Sequence, residues 1–425
     1  MRREASHLVL PGLATAHSHA FQRAMRGHVQ RAPVPEVPPK AADAIVSGPH
    51  ARTTPVGPGS FWSWREAMFA LADALDPETI YDLSHFAFVE LALAGVTCVG
   101  EFHYVHHQPG GAPYADRTLL ADAVIRAALD AGVRITLLRV VYERAGFGRV
   151  VEHGQRRFFD ARVDDALADV DTLKARWKDE PRVRVGLAPH SLRAVSRPSF
   201  EACIRYADTH AMPLHAHVSE VSREVRECLA EHGVRPVELL SAMGALSPRF
   251  TAVHATHLSP NEIALFGAAR ANACICRTTE RDLGDGFPDV SGLVRAGAGL
   301  VTGTDSHASS CPFEEARAIE LDERPRTQAR TVALDADRLL SALSTEAYAA
   351  LGWGAEPDEV RLDANDPALV GASDARLSDA VIFAAGPRAV RDVIVAGNRI
   401  VEDGQHARLP RAREQFVKAA RAVMR

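Results

Sequence analysis

Gly299-Leu300-Val301-Thr302-Gly303-Thr304-Asp305-Ser306-His307 is a short apolar run that delivers a carboxylate at its end. Read as a strand, it presents Asp305 at its C-terminal edge. The same construction recurs further back along the chain. Phe250-Thr251-Ala252-Val253 runs into His254-Ala255-Thr256-His257. Met212-Pro213-Leu214 precedes His217-Val218-Ser219-Glu220. Leu8-Val9-Leu10 leads to His17-Ser18-His19. Polar residues delivered repeatedly by strand ends are how a (β/α)8 barrel builds its active site. Three imidazoles and a carboxylate suit a divalent metal such as zinc. Glu220 and one more histidine are then left over for proton transfer. The pattern points to a hydrolytic metalloenzyme.

The rest of the chain has the matching rhythm. Helical periodicity is expected at 66–75, 78–94, 118–131, 162–177, 199–210, 221–231, 260–270, 312–322 and 336–350. Short apolar runs at 8–16, 96–101, 134–141, 183–188, 212–217, 250–254, 272–276 and 299–303 supply eight strands. Strand–helix alternation of this kind implies a parallel sheet with crossover helices. No Gly-x-Gly-x-x-Gly follows an early strand, which argues against a doubly wound dinucleotide fold. The expected architecture is a TIM-like (β/α)8 barrel over 11–354 with a small β-rich accessory domain made from 1–10 and 355–425. Residues 28–60, rich in proline and without aromatic residues, read as a long loop or disordered insertion. Residues 379–383 read as a strand, and 390–401 as two strands folded back at Gly397-Asn398. A helix is expected from about 410 to 424.

Bulk properties set further limits. The 425 residues exceed one small domain. A formal net charge of -5 argues against a nucleic-acid footprint. No apolar stretch is long enough to span a membrane, and the N-terminus lacks a signal-peptide core. Cys98, Cys203, Cys228, Cys274, Cys276 and Cys311 form no Cys-x-x-Cys pair, so neither a zinc knuckle nor a redox motif is visible. Cys274 and Cys276 read as buried free thiols on one face of a strand, and with no signal peptide or membrane span the chain reads as cytoplasmic.

Individually the candidate residues are weak signals. His17-Ser18-His19 places two imidazoles on one face of a strand end. Glu220, three residues beyond His217, sits in a strand-to-helix turn and fits a proton shuttle, or a carboxylate favoured at a helix N-terminus. Asp305 alone could be a helix cap. The ordered set is far more specific than its members. Of the many other histidines, His254 is preferred to His257 because the apolar run ends directly on it.

These residues resemble the amidohydrolase superfamily. Within it the chain looks like the formimidoylglutamate deiminases of histidine degradation. The carrying segments are 17–25, Phe61-Trp62-Ser63-Trp64-Arg65-Glu66, Glu101-Phe102-His103-Tyr104-Val105-His106-His107, Ala188-Pro189-His190-Ser191-Leu192-Arg193, 254–257, 278–286 and 304–307. The resemblance implies zinc on His17, His19, His217 and Asp305, with Glu220, His254 and Asp305 in catalysis. It implies that Gln22, Arg65, Tyr104, His190 and Arg193 contact the substrate. A formimino-glutamate carries two carboxylates, and Arg65 and Arg193 can each grip one bidentately.

One zinc ion is expected, because 134–147 contains no lysine to bridge a second metal. The implied reaction is hydrolytic deimination of N-formimino-L-glutamate to N-formyl-L-glutamate and ammonia. The alternative is a superfamily aminohydrolase acting on a nucleobase or related cyclic amidine. A catalytically dead scaffold would have lost ligands, and none is lost here. The expected partner is a small dicarboxylate substrate, with no nucleic acid or membrane, and a homodimer is possible. His17 lies nearer the start than in the family, which implies an N-terminally incomplete accessory domain whose strands at 378–402 lose pairing partners.

Overall fold

A computed structural model describes residues 1–4, 6–30 and 61–424. Most of the expected 28–60 insertion therefore lies outside the described residues. The run expected as one strand over 8–16 divides in two. β1 (Arg2–Glu4) and β2 (His7–Pro11) belong to one sheet, and β3 (Leu13–Ser18) begins another. Gly12 is the break. A Cβ there would lie 2.6 Å from Thr97 Oγ1 and 2.7 Å from the Tyr348 hydroxyl, so only glycine lets the chain pass between the two sheets.

β3 continues into β4 (Val96–His103), β5 (Arg134–Val141), β6 (Val183–Pro189), β7 (Leu214–Val218), β8 (Phe250–His254), β9 (Asn272–Ile275) and β10 (Gly299–Thr302). These eight pair in chain order, all parallel. The ring is drawn together by a parallel bridge between Ser18 and Asp305. Asp305 N–H and Thr304 N–H both donate to the His17 carbonyl, at 3.0 and 2.9 Å, and His19 N–H donates to the Asp305 carbonyl at 2.9 Å. The metal-type residues at the two ends of the barrel's sequence thus meet at its seam.

Small side chains fill the barrel: Ala14, Ala16, Cys98, Val253, Cys274, Cys276 and Val301 are buried together. Tyr348, Leu351 and Trp353, at the end of the helix Thr345–Ala350, join this cluster. All six cysteines are unpaired. The expected helices are present, the first beginning earlier, at Phe61. The expected helix at 336–350 is split into Ala336–Leu343 and Thr345–Ala350.

The second sheet has five antiparallel strands in the order β1-β2-β11-β12-β13, with β11 (Glu359–Asp363), β12 (Val390–Val395) and β13 (Asn398–Val401). Two expectations are corrected here. Residues 379–383 are helical, within Leu377–Ala384, because Leu377, Val381 and Ile382 bury one side of a turn rather than alternate faces. The C-terminal strands also keep partners: β12 lies between β11 and β13, and β11 pairs with β2. The turn joining β12 to β13 has positive φ at Ala396 and Gly397, as a tight two-residue hairpin turn requires. The final helix, Leu409–Val423, packs on the helix Pro77–Leu93, with Phe416 and Phe86 ring centroids 4.5 Å apart.

Candidate metal centre and substrate pocket

The C-terminal ends of β3, β7, β8 and β10 carry the four motifs to one place. His17 Nε2 and His19 Nε2 are 3.1 Å apart. Asp305 Oδ1 lies 3.3 Å from the first and 3.4 Å from the second. His217 packs against both rings, 4.9 Å from His17 and 5.7 Å from His19 between centroids. One ligand atom from each of His17, His19, His217 and Asp305 can be chosen so that all lie within 4.8 Å of one another. All four residues are buried.

The donor set suits a cation. His19 Nδ1 is 3.0 Å from the Phe102 carbonyl, and His217 Nδ1 is 3.2 Å from the His190 carbonyl. Each ring nitrogen facing a carbonyl must carry the proton, which leaves Nε2 as a lone pair directed at the centre. Burial lowers the basicity of His17, to about 3, and also of His19 and His217, so the rings are held neutral. Burial would raise Asp305, but its contacts with His17, His254 and His19 win and hold it below the usual carboxylate range. The lone pairs of His19 and His217 and the Asp305 carboxylate converge beside His17, a donor set that suits a divalent ion.

Several strand ends here are strained. Ser219, His254 and Asp305 have φ of 51°, 71° and 50°, a left-handed conformation rare for such residues. The kinks turn side chains inward that regular strands would point elsewhere. His254 Nε2 consequently lies 3.7 Å from Asp305 Oδ2 and 3.6 Å from Glu220 Oε1, while its Nδ1 faces Glu280 Oε1 at 3.4 Å. Burial disfavours charge on His254, but Glu220, Glu280 and Asp305 outweigh it and raise its pKa to about 10. His257 stands apart from this group, its carbonyl accepting from Arg235 at 2.6 Å.

Above the centre is a cavity. Its walls include His19, His217, Glu220 and Asp305, together with all five expected substrate residues, Gln22, Arg65, Tyr104, His190 and Arg193. Gln22 donates to the Tyr104 hydroxyl at 2.6 Å, and its own carbonyl oxygen has no partner among the described residues. Arg65 stacks on Trp62, 4.5 Å from the ring centre, with its Nε unpartnered among the described residues. Arg193 donates to Glu220 Oε2 at 2.8 Å. Arg149, Trp62 and Trp64, for which residue patterns alone suggest no role, also line the cavity.

Other residues at the site carried no assigned role. Glu101 accepts from Ser18 Oγ at 2.6 Å and from Ala20 N–H at 2.8 Å, pinning the loop that bears His19. Burial pushes its pKa up to about 8. Glu280 also accepts from Cys276 N–H at 2.9 Å. Both lie in segments that resemble the family, but no spacing distinguishes them from surface carboxylates.

The pattern of the amidohydrolase family matches residues 8–400. The chain belongs to that family. It is 37% identical over 424 residues to the formimidoylglutamate deiminase of Pseudomonas aeruginosa, covering 96% of this chain and 88% of the relative. The 8-oxoguanine deaminase of the same organism is 28% identical, covering 82% and 68%. Among solved structures, an amidohydrolase from Brucella melitensis superposes with a TM-score of 0.86 at 32% identity, covering 98% and 90%. An adenosine deaminase from Xanthomonas campestris, solved with bound zinc, shares the fold with a TM-score of 0.75 at 24% identity, covering 97% and 86%. The barrel architecture is that of this metal-dependent superfamily, and the chain is a hydrolase of it. No helix among the described residues is long and apolar enough to cross a membrane.

Proposed function

We propose that this chain is a formimidoylglutamate deiminase, hydrolysing N-formimino-L-glutamate to N-formyl-L-glutamate and ammonia in the cytosol. The observation that carries the reading is one cavity that joins Arg65 and Arg193 to His19, His217, Glu220 and Asp305. Two cations within reach of one hydrolytic centre suit a substrate with two carboxylates and one amidine. A nucleobase offers no carboxylate to either arginine; the aromatic walls at Trp62 and Trp64 suit a ring as well, so the arginines are what separate the two readings.

A single zinc ion held by His17, His19, His217 and Asp305 would supply Lewis acidity and bring the pKa of a water there towards neutrality. The protein's own groups do the rest. Arg65 and Arg193 fix the carboxylates, and Gln22, Tyr104 and His190 orient the chain between them. Asp305 accepts a proton from the water that attacks the formimino carbon. His254, set among Glu220, Glu280 and Asp305, faces the negative charge that develops on attack. Glu220 carries a proton to the imine nitrogen and then to the departing ammonia, so the C–N bond breaks as the carbonyl forms.

The test is ammonia release from N-formimino-L-glutamate beside guanine, cytosine and adenosine. Turnover confined to the first is expected, and preference for a ring substrate would replace this reading with the alternative. Arg65→Met and Arg193→Met should each weaken binding of the dicarboxylate by on the order of 2–5 kcal/mol, the cost of leaving a carboxylate unpaired in a closed site. Equal losses with an analogue lacking that carboxylate would make the arginines structural.

A further inference from the structure

Arg193 is already occupied by the protein's own carboxylates. Its Nη2 donates to Glu220 Oε2 at 2.8 Å, and its Nε lies 3.5 Å from Glu224 Oε2. Its Nη1 is buried and has no partner among the described residues. Glu224 is fully buried in the first turn of the helix Ser222–His232, and its Oε1 accepts from Ser219 N–H at 3.1 Å. That bond ties Glu224 to the kinked end of β7, two residues beyond His217. Glu220, by contrast, faces the cavity, and its other oxygen points at His254.

The two carboxylates therefore differ in kind. Glu224 is fixed beneath the guanidinium and out of reach of substrate. Glu220 is the group placed to move protons, yet a guanidinium occupies one of its oxygens. A carboxylate so paired cannot swing to a substrate nitrogen without breaking a buried ion pair. An incoming substrate carboxylate competes for the same guanidinium.

We propose that Arg193 is handed from Glu220 to a carboxylate of the substrate, with Glu224 as the fixed anchor, so that recognition of the carboxylate frees Glu220 for proton transfer. Glu224 is then a positioning residue, acting through Arg193. The inference rests on the deiminase reading. It adds that the enzyme tells a dicarboxylate from a simpler formamidine in turnover as well as in binding. Remote binding interactions are in this way expressed at the reacting centre.

Steady-state kinetics with N-formimino-L-glutamate and with two analogues, each lacking one carboxylate, test it. The wild-type enzyme should lose kcat by about tenfold or more on one analogue, beyond any change in KM. Arg193→Met should abolish that difference and turn over the same analogue faster than wild type does, because nothing then holds Glu220. Glu224→Gln should lower kcat/KM for the full substrate and leave the analogue little changed, and Glu224→Asp should restore part of the loss. Metal content and thermal midpoint of each variant establish that it is folded. Discrimination confined to KM in the wild-type enzyme would overturn the hand-over, and that measurement needs no variant. If N-formimino-L-glutamate is not turned over at all while a cyclic amidine is, the deiminase reading itself has failed.

Discussion

Gly303 stands immediately before the loop that carries Asp305, and it has no room for a side chain. A Cβ would lie 2.7 Å from Cys276 Sγ, 2.8 Å from His17 Cβ and 3.0 Å from Cys274 Sγ. Gly303→Ala should cost about 1–3 kcal/mol from overpacking, and should reduce metal content because the contact pushes on a ligand. A melting curve and metal analysis check both. His17→Ala with His19→Ala should remove bound zinc altogether, and full metal retention in that variant would sink the assignment. Glu220→Gln should retain zinc and lose roughly 100-fold or more in turnover. Loss of metal instead would make Glu220 a ligand.

The elements that bear the site were legible to different degrees. Each barrel strand begins within an apolar run, because a strand buried on both faces is largely hydrophobic, but the first run, 8–16, also takes in β2 of the smaller sheet. The helix Leu377–Ala384 was misread for the same reason: Val381-Ile382-Phe383 is apolar enough for either structure, and only tertiary packing decides. The ligands could be found because barrel strands deliver polar residues at one end. Glu101, Glu224 and Glu280 could not, since their importance lies in what they touch across the barrel. Glu90 is another such residue. From the helix Pro77–Leu93 it accepts from Arg23 at 2.8 Å, Arg26 at 2.9 Å and Ser310 at 2.8 Å, joining the loops beyond β3 and β10. Burial would raise its pKa, but Arg23 and Arg26 dominate and bring it down to about 2. A carboxylate depressed in the folded state stabilises above its unfolded pKa of about 4.3, and that contribution fades as pH falls through the folded value. Glu90→Gln should therefore lower stability at pH 7 by roughly 2–3 kcal/mol and flatten the acid limb between about pH 4.5 and 2. Denaturant unfolding across that range measures it, and an unaltered acid limb would refute it.

Across the whole molecule, Asp358 fastens the smaller sheet to the base of the barrel. It accepts from Arg134 at 2.7 and 3.0 Å, from the Tyr348 hydroxyl at 2.7 Å and from Ala396 N–H at 2.9 Å. Asp358→Ala would leave Arg134 buried without its main partner, a loss of about 3–5 kcal/mol. Hydrogen exchange should quicken across 390–401 first, and unchanged protection there would show that the sheet holds on by other contacts. The seam has a different kind of consequence. Ser18 bonds to His307 across a separation of 289 residues, so the two banks of the centre are made at opposite ends of the barrel's synthesis. At typical elongation rates of about 5–20 residues per second, His17 and His19 wait on the order of 15–60 s for Asp305 to leave the ribosome. In that interval the nascent chain displays two imidazoles with no carboxylate to complete them. The choice of ion thus belongs to the closed ring, and metal supply matters only once Asp305 has followed the histidines out of the ribosome.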